Sequence, residues 1–411
     1  MKITGAGVAY TAAVALSTLY SIASANPLLY MLSLFLMLVL LNEYRLFKDA
    51  SARISRIRVS RGASSRSVME LEEVDLEIEI ENSSGKSIPR LLVIDEKPVY
   101  TSVKGKPVFT VFIPAYSRTK VSYGAKILAP GRIDFSRIRL VFTDPLAFFY
   151  EDLLVEARLS ITAQPLYTRI SETFRSIERI TGIHARGLAL SGEYDLADIR
   201  EYTPGDDTRR ILWKHYAKTG RLLVREDYGE VKPVVLLVID VRKELWGIGT
   251  GVNTLAHIQL RLARSLLKEL SGLGVTVDLA VCTEQSPKVY LNAGGDADAS
   301  LHALLSTLKA GEGCEIPLST VRQVLAAYGE GRRYDAVLVV ANPLSILNEG
   351  VESLGELAAI SPGRTLVVAP RFEYEAAGLT MDDIGELAVR LMDEAGVILM
   401  VAEEDLRVVH E

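Results

Sequence analysis

Between residues 3 and 25 there is no charged side chain, and apolar and small residues dominate. This limits the fold more than any other feature, because about 20 such residues make a helix that spans the hydrocarbon core of a bilayer. Asn26-Pro27 breaks the run, and a second apolar stretch follows over residues 28–41. At ~1.5 Å per residue that stretch is shorter than the ~30 Å core. It must borrow the next turn, which places Glu43 and Arg45 at headgroup level. A two-helix transmembrane hairpin over residues 1–47 is therefore expected, with the lipid bilayer as one partner. The alternative is a secretory signal ending at Ala23-Ser24-Ala25, although the second run would still anchor the product.

Arg45, Lys48, Arg53, Arg56, Arg58 and Arg61 crowd the exit of the second run, whereas the hairpin tip carries no charge. Positive charge is retained on the cytoplasmic side, so a cell-membrane protein with two helices and cytoplasmic soluble domains is expected. Residues 48–66, rich in Arg and Ser, read as a basic linker along an anionic surface.

Beyond the linker the composition is that of folded protein, since 49% of the chain is hydrophobic and 24% charged, too apolar for disorder. A net charge of -6 offers no basic excess, so nucleic acid is not expected as a partner. Two cysteines, Cys282 and Cys314, cannot build a disulfide framework, and five scattered histidines have no zinc-ligand spacing.

Residues 74–82 alternate strictly, with Leu76, Ile78 and Ile80 on one face and Asp75, Glu77, Glu79 and Glu81 on the other. Period two means a half-solvated strand whose acids face water. Apolar runs at residues 91–94, 108–113, 120–128 and 133–142, separated by glycine turns, extend this to an antiparallel β-sandwich over residues 67–165. A connecting segment follows over residues 166–230, with a short helical pattern at residues 171–180.

From residue 231 to residue 411 continuous apolar strands alternate with amphipathic helices: strands at 234–240, 275–281, 288–291, 335–341, 365–369 and 397–402, helices at 253–270, 297–308, 318–327 and 381–392. Strands apolar on both faces demand a sheet covered on both sides, so a doubly wound α/β domain is expected. Ligands of such sheets bind beyond the carboxyl ends of the strands, and Asp240 ends the first. Gly247, Gly249 and Gly251 precede a helix, but the spacing is neither a dinucleotide nor a P-loop motif and reads as a plain connection. Cys282 has no histidine near it in sequence, and His184 and His215 have no evident partner, so nucleophilic catalysis has no support.

The strand order and the terminal Asp240 resemble the von Willebrand factor type A domain. The resemblance implies a metal-ion-dependent adhesion site of the form D-x-S-x-S, with a Thr and an Asp on two further loops. Here the first loop reads Asp240-Val241-Arg242-Lys243-Glu244, the second carries Asp296 and the third Asn342, so cations and acids replace the hydroxyl ligands. Arg242 and Lys243 would repel a divalent ion, so the site reads as degenerate and no metal or other cofactor is expected.

Residues 186–230 closely resemble the signature of the domain of unknown function 58 family. The matching positions include Gly192, Tyr194, Ile199-Arg200, Tyr202, Pro204-Gly205-Asp206, Arg209, Ile211, Trp213-Lys214, Ala217 and Val224-Arg225-Glu226, while Leu212 replaces the usual acid. Thr143-Asp144-Pro145-Leu146-Ala147-Phe148 is similar to the family's D-P-x-G-x-F turn, with Ala147 for the glycine. The resemblance implies a membrane hairpin, a small β domain and a type A-like domain that partners a MoxR-type AAA+ ATPase in assembling or remodelling protein complexes. It implies no catalytic residue, so a non-enzymatic adaptor is expected. A nucleotide-binding or hydrolytic enzyme and a surface adhesion protein are the alternatives. Interleaved Arg, acid and Trp213 suit either a docking surface or a clamp holding the segment on the sheet.

Overall fold

The structure, a computed structural model, describes residues 2–54, 56–183, 196–203, 208, 211–227, 233–282, 287–291, 293, 296–313, 321 and 333–408. The chain divides into two compact units, Met1–Pro165 with Leu305–Gly311, and Leu166–Leu304 with Glu312–Glu411.

In the first unit two helices, Gly5–Ser24 and Pro27–Ile54, are long and apolar enough to cross a membrane. The Thr4 hydroxyl caps the first by accepting the Gly7 amide at 3.0 Å, and Ala25 closes it in the left-handed region. Pro27 opens the second at a position where an amide would have no helical partner. Only 17% and 11% of their apolar windows are buried, and Leu16, Leu19, Leu28, Met31 and Phe35 face outward. A core helix of a soluble domain would instead be covered.

The second helix does not stop at the end of its apolar run. It continues to Ile54, and Phe47, Ala50 and Ile54, spaced along one face, are buried in the β core. Residues 48–66, expected as a basic linker, thus complete a helix and then form the strand Ile57–Ala63. That strand pairs antiparallel with Glu73–Asn82, so its backbone groups are spent in a ladder. Arg61, counted above among the cations at the exit of the second run, is instead buried: its guanidinium pairs with Asp95 and donates to Ala157 O at 2.6 Å. Tyr123 donates to the same carboxylate at 2.6 Å. An isolated buried cation would be prohibitively unfavourable, and this partner set is what permits it.

Two sheets form the rest of this unit. One runs Ile57–Ala63, Glu73–Asn82, Ser117–Ile127, Thr101–Val103; the other runs Lys2–Ile3, Phe149–Gln164, Gly131–Thr143, Ile88–Asp95, Val108–Ile113, with Ser67–Met69 also on Phe149–Gln164. Leu76, Ile78 and Ile80 are fully buried while Asp75 and Glu77 are exposed, as the alternation requires. Their inward side chains share clusters with Leu91, Phe135, Leu140 and Ile161 of the other sheet. Lys2–Ile3 pairs with Tyr150 and Phe149, which ties the start of the first helix to the same unit that receives the end of the second.

The second unit is built on a six-stranded sheet in the order Pro287–Tyr290, Thr276–Cys282, Val234–Ile239, Ala336–Val340, Thr365–Ala369, Ile398–Val401. All neighbours are parallel except the Pro287–Tyr290 edge. Leu236, Val238, Val337, Val339 and Val367 are completely buried, which explains why these strands show no alternation. The helix Leu255–Gly272 is itself buried along most of its length. The helix expected at residues 318–327 lies outside the described residues, save residue 321.

Candidate functional site

Chain order reverses across the sheet between Val234–Ile239 and Ala336–Val340, because the chain leaves the first strand toward one edge and returns on its other side. A crevice at the carboxyl ends is expected there. Asp240 and Asn342 stand at those ends, 1% and 0% exposed. The Asp240 amide donates to Val340 O at 2.9 Å. Asn342 caps the helix Pro343–Glu349 by accepting the Ser345 amide at 2.9 Å, and its own amide donates to Gln259 Oε1 at 3.0 Å. Gln259 in turn donates to Asp240 O at 3.1 Å.

Arg242 completes the network. Its Nε lies 3.1 Å from Asp240 Oδ1, and its other end pairs with Glu349. Glu349 is 6% exposed and Arg242 17%, so one guanidinium is shared between two buried carboxyl groups and its single charge balances only one of them. Burial pushes the Asp240 carboxyl above its ordinary range, and the opposing pull of Arg242 and the Ser345 hydroxyl does not overcome it. Behind the loop, a Cβ on Gly313 would fall 2.6 Å from Val241 O and from the carbonyl carbon of Arg242, so only glycine allows this approach. Trp246 closes the side, donating to Glu312 O at 2.9 Å and meeting the ring of His257 edge-on at 5.2 Å.

Of the residues singled out in sequence at this site, Asp240, Arg242 and Asn342 come together. Glu244 is exposed on the short turn Lys243–Trp246 and acts on Asp240 only through its field. Asp296, also exposed, accepts the Ala299 amide at 3.0 Å at the start of Ala297–Leu305. Among the described residues no group of three or more His, Cys, Asp or Glu is placed to hold a metal ion. Gln259, Ser345 and Glu349 were missed. Glu349 did carry a signal, since an acid in the last turn of a helix opposes the macrodipole and needs a cationic partner. In the glycine loop, Gly249–Thr250 pairs with Asn253–Thr254, and the Leu255 amide at the helix start donates to Ile248 O at 2.8 Å.

The signature forms a separate feature. Leu196–Glu201 pairs antiparallel with Leu223–Asp227, setting Ile199 opposite Arg225 and Arg200 opposite Val224. The Arg200 guanidinium donates to Glu201 O and Thr203 Oγ1, both at 3.2 Å, and the Tyr202 amide donates to Leu222 O at 3.0 Å. Arg225 and Glu226 contribute backbone to the ladder, and Gly205, Asp206 and Arg209 lie outside the described residues. The connecting helix Trp213–Thr219 ends at Gly220 in the left-handed region. Ile211 and Val224, joined by a short antiparallel bridge, are buried. Trp213 is not: it is 56% exposed and meets Tyr216, 42% exposed, edge-on at 6.3 Å. Lys214, His215 and Lys218 on the same helix are exposed as well.

These features define a protein with two candidate membrane helices, a β unit and a mostly parallel α/β unit carrying an exposed aromatic and basic helix. The chain belongs to the DUF58 family, described as a protein of unknown function, whose model matches residues 198–408. No curated protein matches. Among solved structures, the chain is similar to the CARDB domain of the PF1109 protein from Pyrococcus furiosus, with 12% identity, 26% of this chain and 91% of that chain covered, and a TM-score of 0.17. It is also similar to the GH20 exo-β-N-acetylglucosaminidase of Vibrio harveyi, with 11% identity, 84% and 75% covered, and a TM-score of 0.27. Likeness at these TM-scores carries no argument about fold or function.

Proposed function

We propose that this chain is a non-enzymatic adaptor held in the cell membrane by its two apolar helices, which presents its cytoplasmic units to a MoxR-type AAA+ ATPase for protein complex assembly or remodelling. In this reading the two-sheet unit is a β-sandwich and the parallel sheet a type A-like domain whose strand order puts Asp240 and Asn342 at the former ion site. Arg242 stands there as a built-in cation, so the site serves stability and not ion binding. Lys2–Ile3 and Thr4 are knitted into the β unit, which favours a retained anchor over a cleaved signal. The excess of Arg45, Lys48, Arg53, Arg56 and Arg58 beside the second helix supports the cytoplasmic orientation.

The observation that carries the reading is the exposure of Trp213 at 56%, beside Tyr216 and on a helix that also exposes Lys214 and Lys218. A clamp would bury its tryptophan, whereas a docking surface presents aromatic and cationic groups to a partner. The test is a crosslinking pulldown from native membranes with the full-length protein and its Trp213→Ala/Tyr216→Ala variant. The wild type should recover the ATPase and the equally stable variant should not. Equal recovery by both, or tight nucleotide binding with turnover by the purified protein, would end this reading.

A further inference from the structure

Glu43 lies on the second apolar helix, and its carboxyl meets that of Asp144 and a backbone group of Leu146. The two acidic residues are 6% and 2% exposed. Asp144 Oδ1 is committed to the Phe149 amide at 2.6 Å. Among the described residues, Glu43 Oε2 and Asp144 Oδ2 have no hydrogen-bond donor. Two buried carboxylates in contact repel and are poorly solvated, so both cannot keep their charge, and a proton between them relieves both penalties.

Among the described residues, no cation forms an ion pair with either carboxyl. The first helix contributes the Thr4 hydroxyl, bonded to Ala147 O, and the Tyr10 ring, stacked on Phe148 at 4.4 Å. The second contributes Tyr44 and Phe47, both against Phe149. Of the charged groups on these elements, Lys2 lies over Tyr150, Glu151 receives Ser51, Asp152 pairs with Arg139, Asp49 pairs with Arg53 and Lys86, Glu156 pairs with Arg158, and Arg45 and Lys48 are exposed.

We propose that Glu43 and Asp144 hold one proton between them, and that this shared proton seats the two apolar helices on the turn at residues 143–148. The site's ligand is thus a proton, and its loss sets two like charges against each other where the helices meet the β unit. The proposal is independent of the docking role of Trp213.

The test uses the full-length protein in lipid nanodiscs. Infrared difference spectra should show the carbonyl stretch of a protonated carboxyl in the wild type at neutral pH, absent from both Glu43→Gln and Asp144→Asn. Hydrogen exchange at the segment containing the Thr4 amide, which donates to Phe148 O at 2.9 Å, reports seating. Corrected for intrinsic rates, it should rise about tenfold or more as the wild type is made alkaline, and stay flat in Glu43→Gln, whose amide donates at every pH. If Glu43→Gln does not insert, Asp144→Asn carries the same comparison. The proposal is overturned by a wild type without the band, by a band that survives in both variants, or by protection that follows sodium or potassium concentration instead of pH.

Discussion

Arg242 Nε stands 3.1 Å from Asp240 Oδ1, against a carboxylate 1% exposed at the end of the central strand. Glu349 holds the far side of the same guanidinium. Where a parallel sheet of this order offers a crevice, the chain has placed its own cation. Removing it leaves both acidic groups buried without their cation. Arg242→Ala should therefore cost about 3 kcal/mol, the scale for breaking a buried pair from one side. Glu349→Gln added to it should recover part of that loss. Urea unfolding followed by Trp246 fluorescence, in a Trp213→Phe background, measures both, and a loss under about 1 kcal/mol would show that the acids find other partners.

Asp240 should also give the unit a pH dependence. Burial raises its carboxyl above the ordinary 3.8, outweighing Arg242, so the folded form keeps the proton to higher pH than the unfolded chain does. The sign follows: its contribution to stability is fully present below 3.8 and is lost as the pH rises through the raised folded value. Asp240→Asn should flatten that part of the profile of unfolding midpoint against pH. An unchanged profile would assign the dependence to other groups.

Gly7 brings the first helix against the turn at residues 143–148. A Cβ there would collide with Phe148 O, a backbone atom that cannot swing away, whereas one at Gly5 meets nothing within 4 Å. Gly7→Ala should lower stability by about 1–3 kcal/mol, the range for overpacking, and Gly5→Ala should not. Thermal unfolding of both variants in detergent separates them, and equal midpoints would refute the close approach.

The two tryptophans should behave oppositely. Trp246 is 6% exposed and bonded to Glu312 O, so Trp246→Ala should cost about 3–5 kcal/mol. Trp213→Ala should change unfolding by less than about 0.5 kcal/mol, as surface substitutions do. A large loss at Trp213 would favour the clamp over the docking surface.

Much of this was legible in the chain. The charge-free stretch, the alternation of residues 74–82 and the unbroken apolar strands after residue 233 each followed from one local rule about period or length. Asp240 was legible because strand ends in such a sheet are known places, and Asn342 through the resemblance to the type A domain. Residues 48–66 were not: Arg and Ser suggested solvent, and only the pairing of Ile57–Ala63 with Glu73–Asn82 turned them into a strand with Arg61 inside. Trp213 stayed open between docking surface and clamp, because an aromatic before an apolar strand gives no sign of whether a neighbour will cover it.

The sequence by itself determined which segments are apolar along their length and which on one face, and with that the two candidate membrane helices and the kinds of sheet, since burial must match the period of the backbone. Tertiary structure alone decided which distant charges meet. Arg242 with Glu349, Arg61 with Asp95, and Glu43 with Asp144 are joined by the folded path of the chain, and a charge becomes stabilising or costly only once its partner and its distance from water are known.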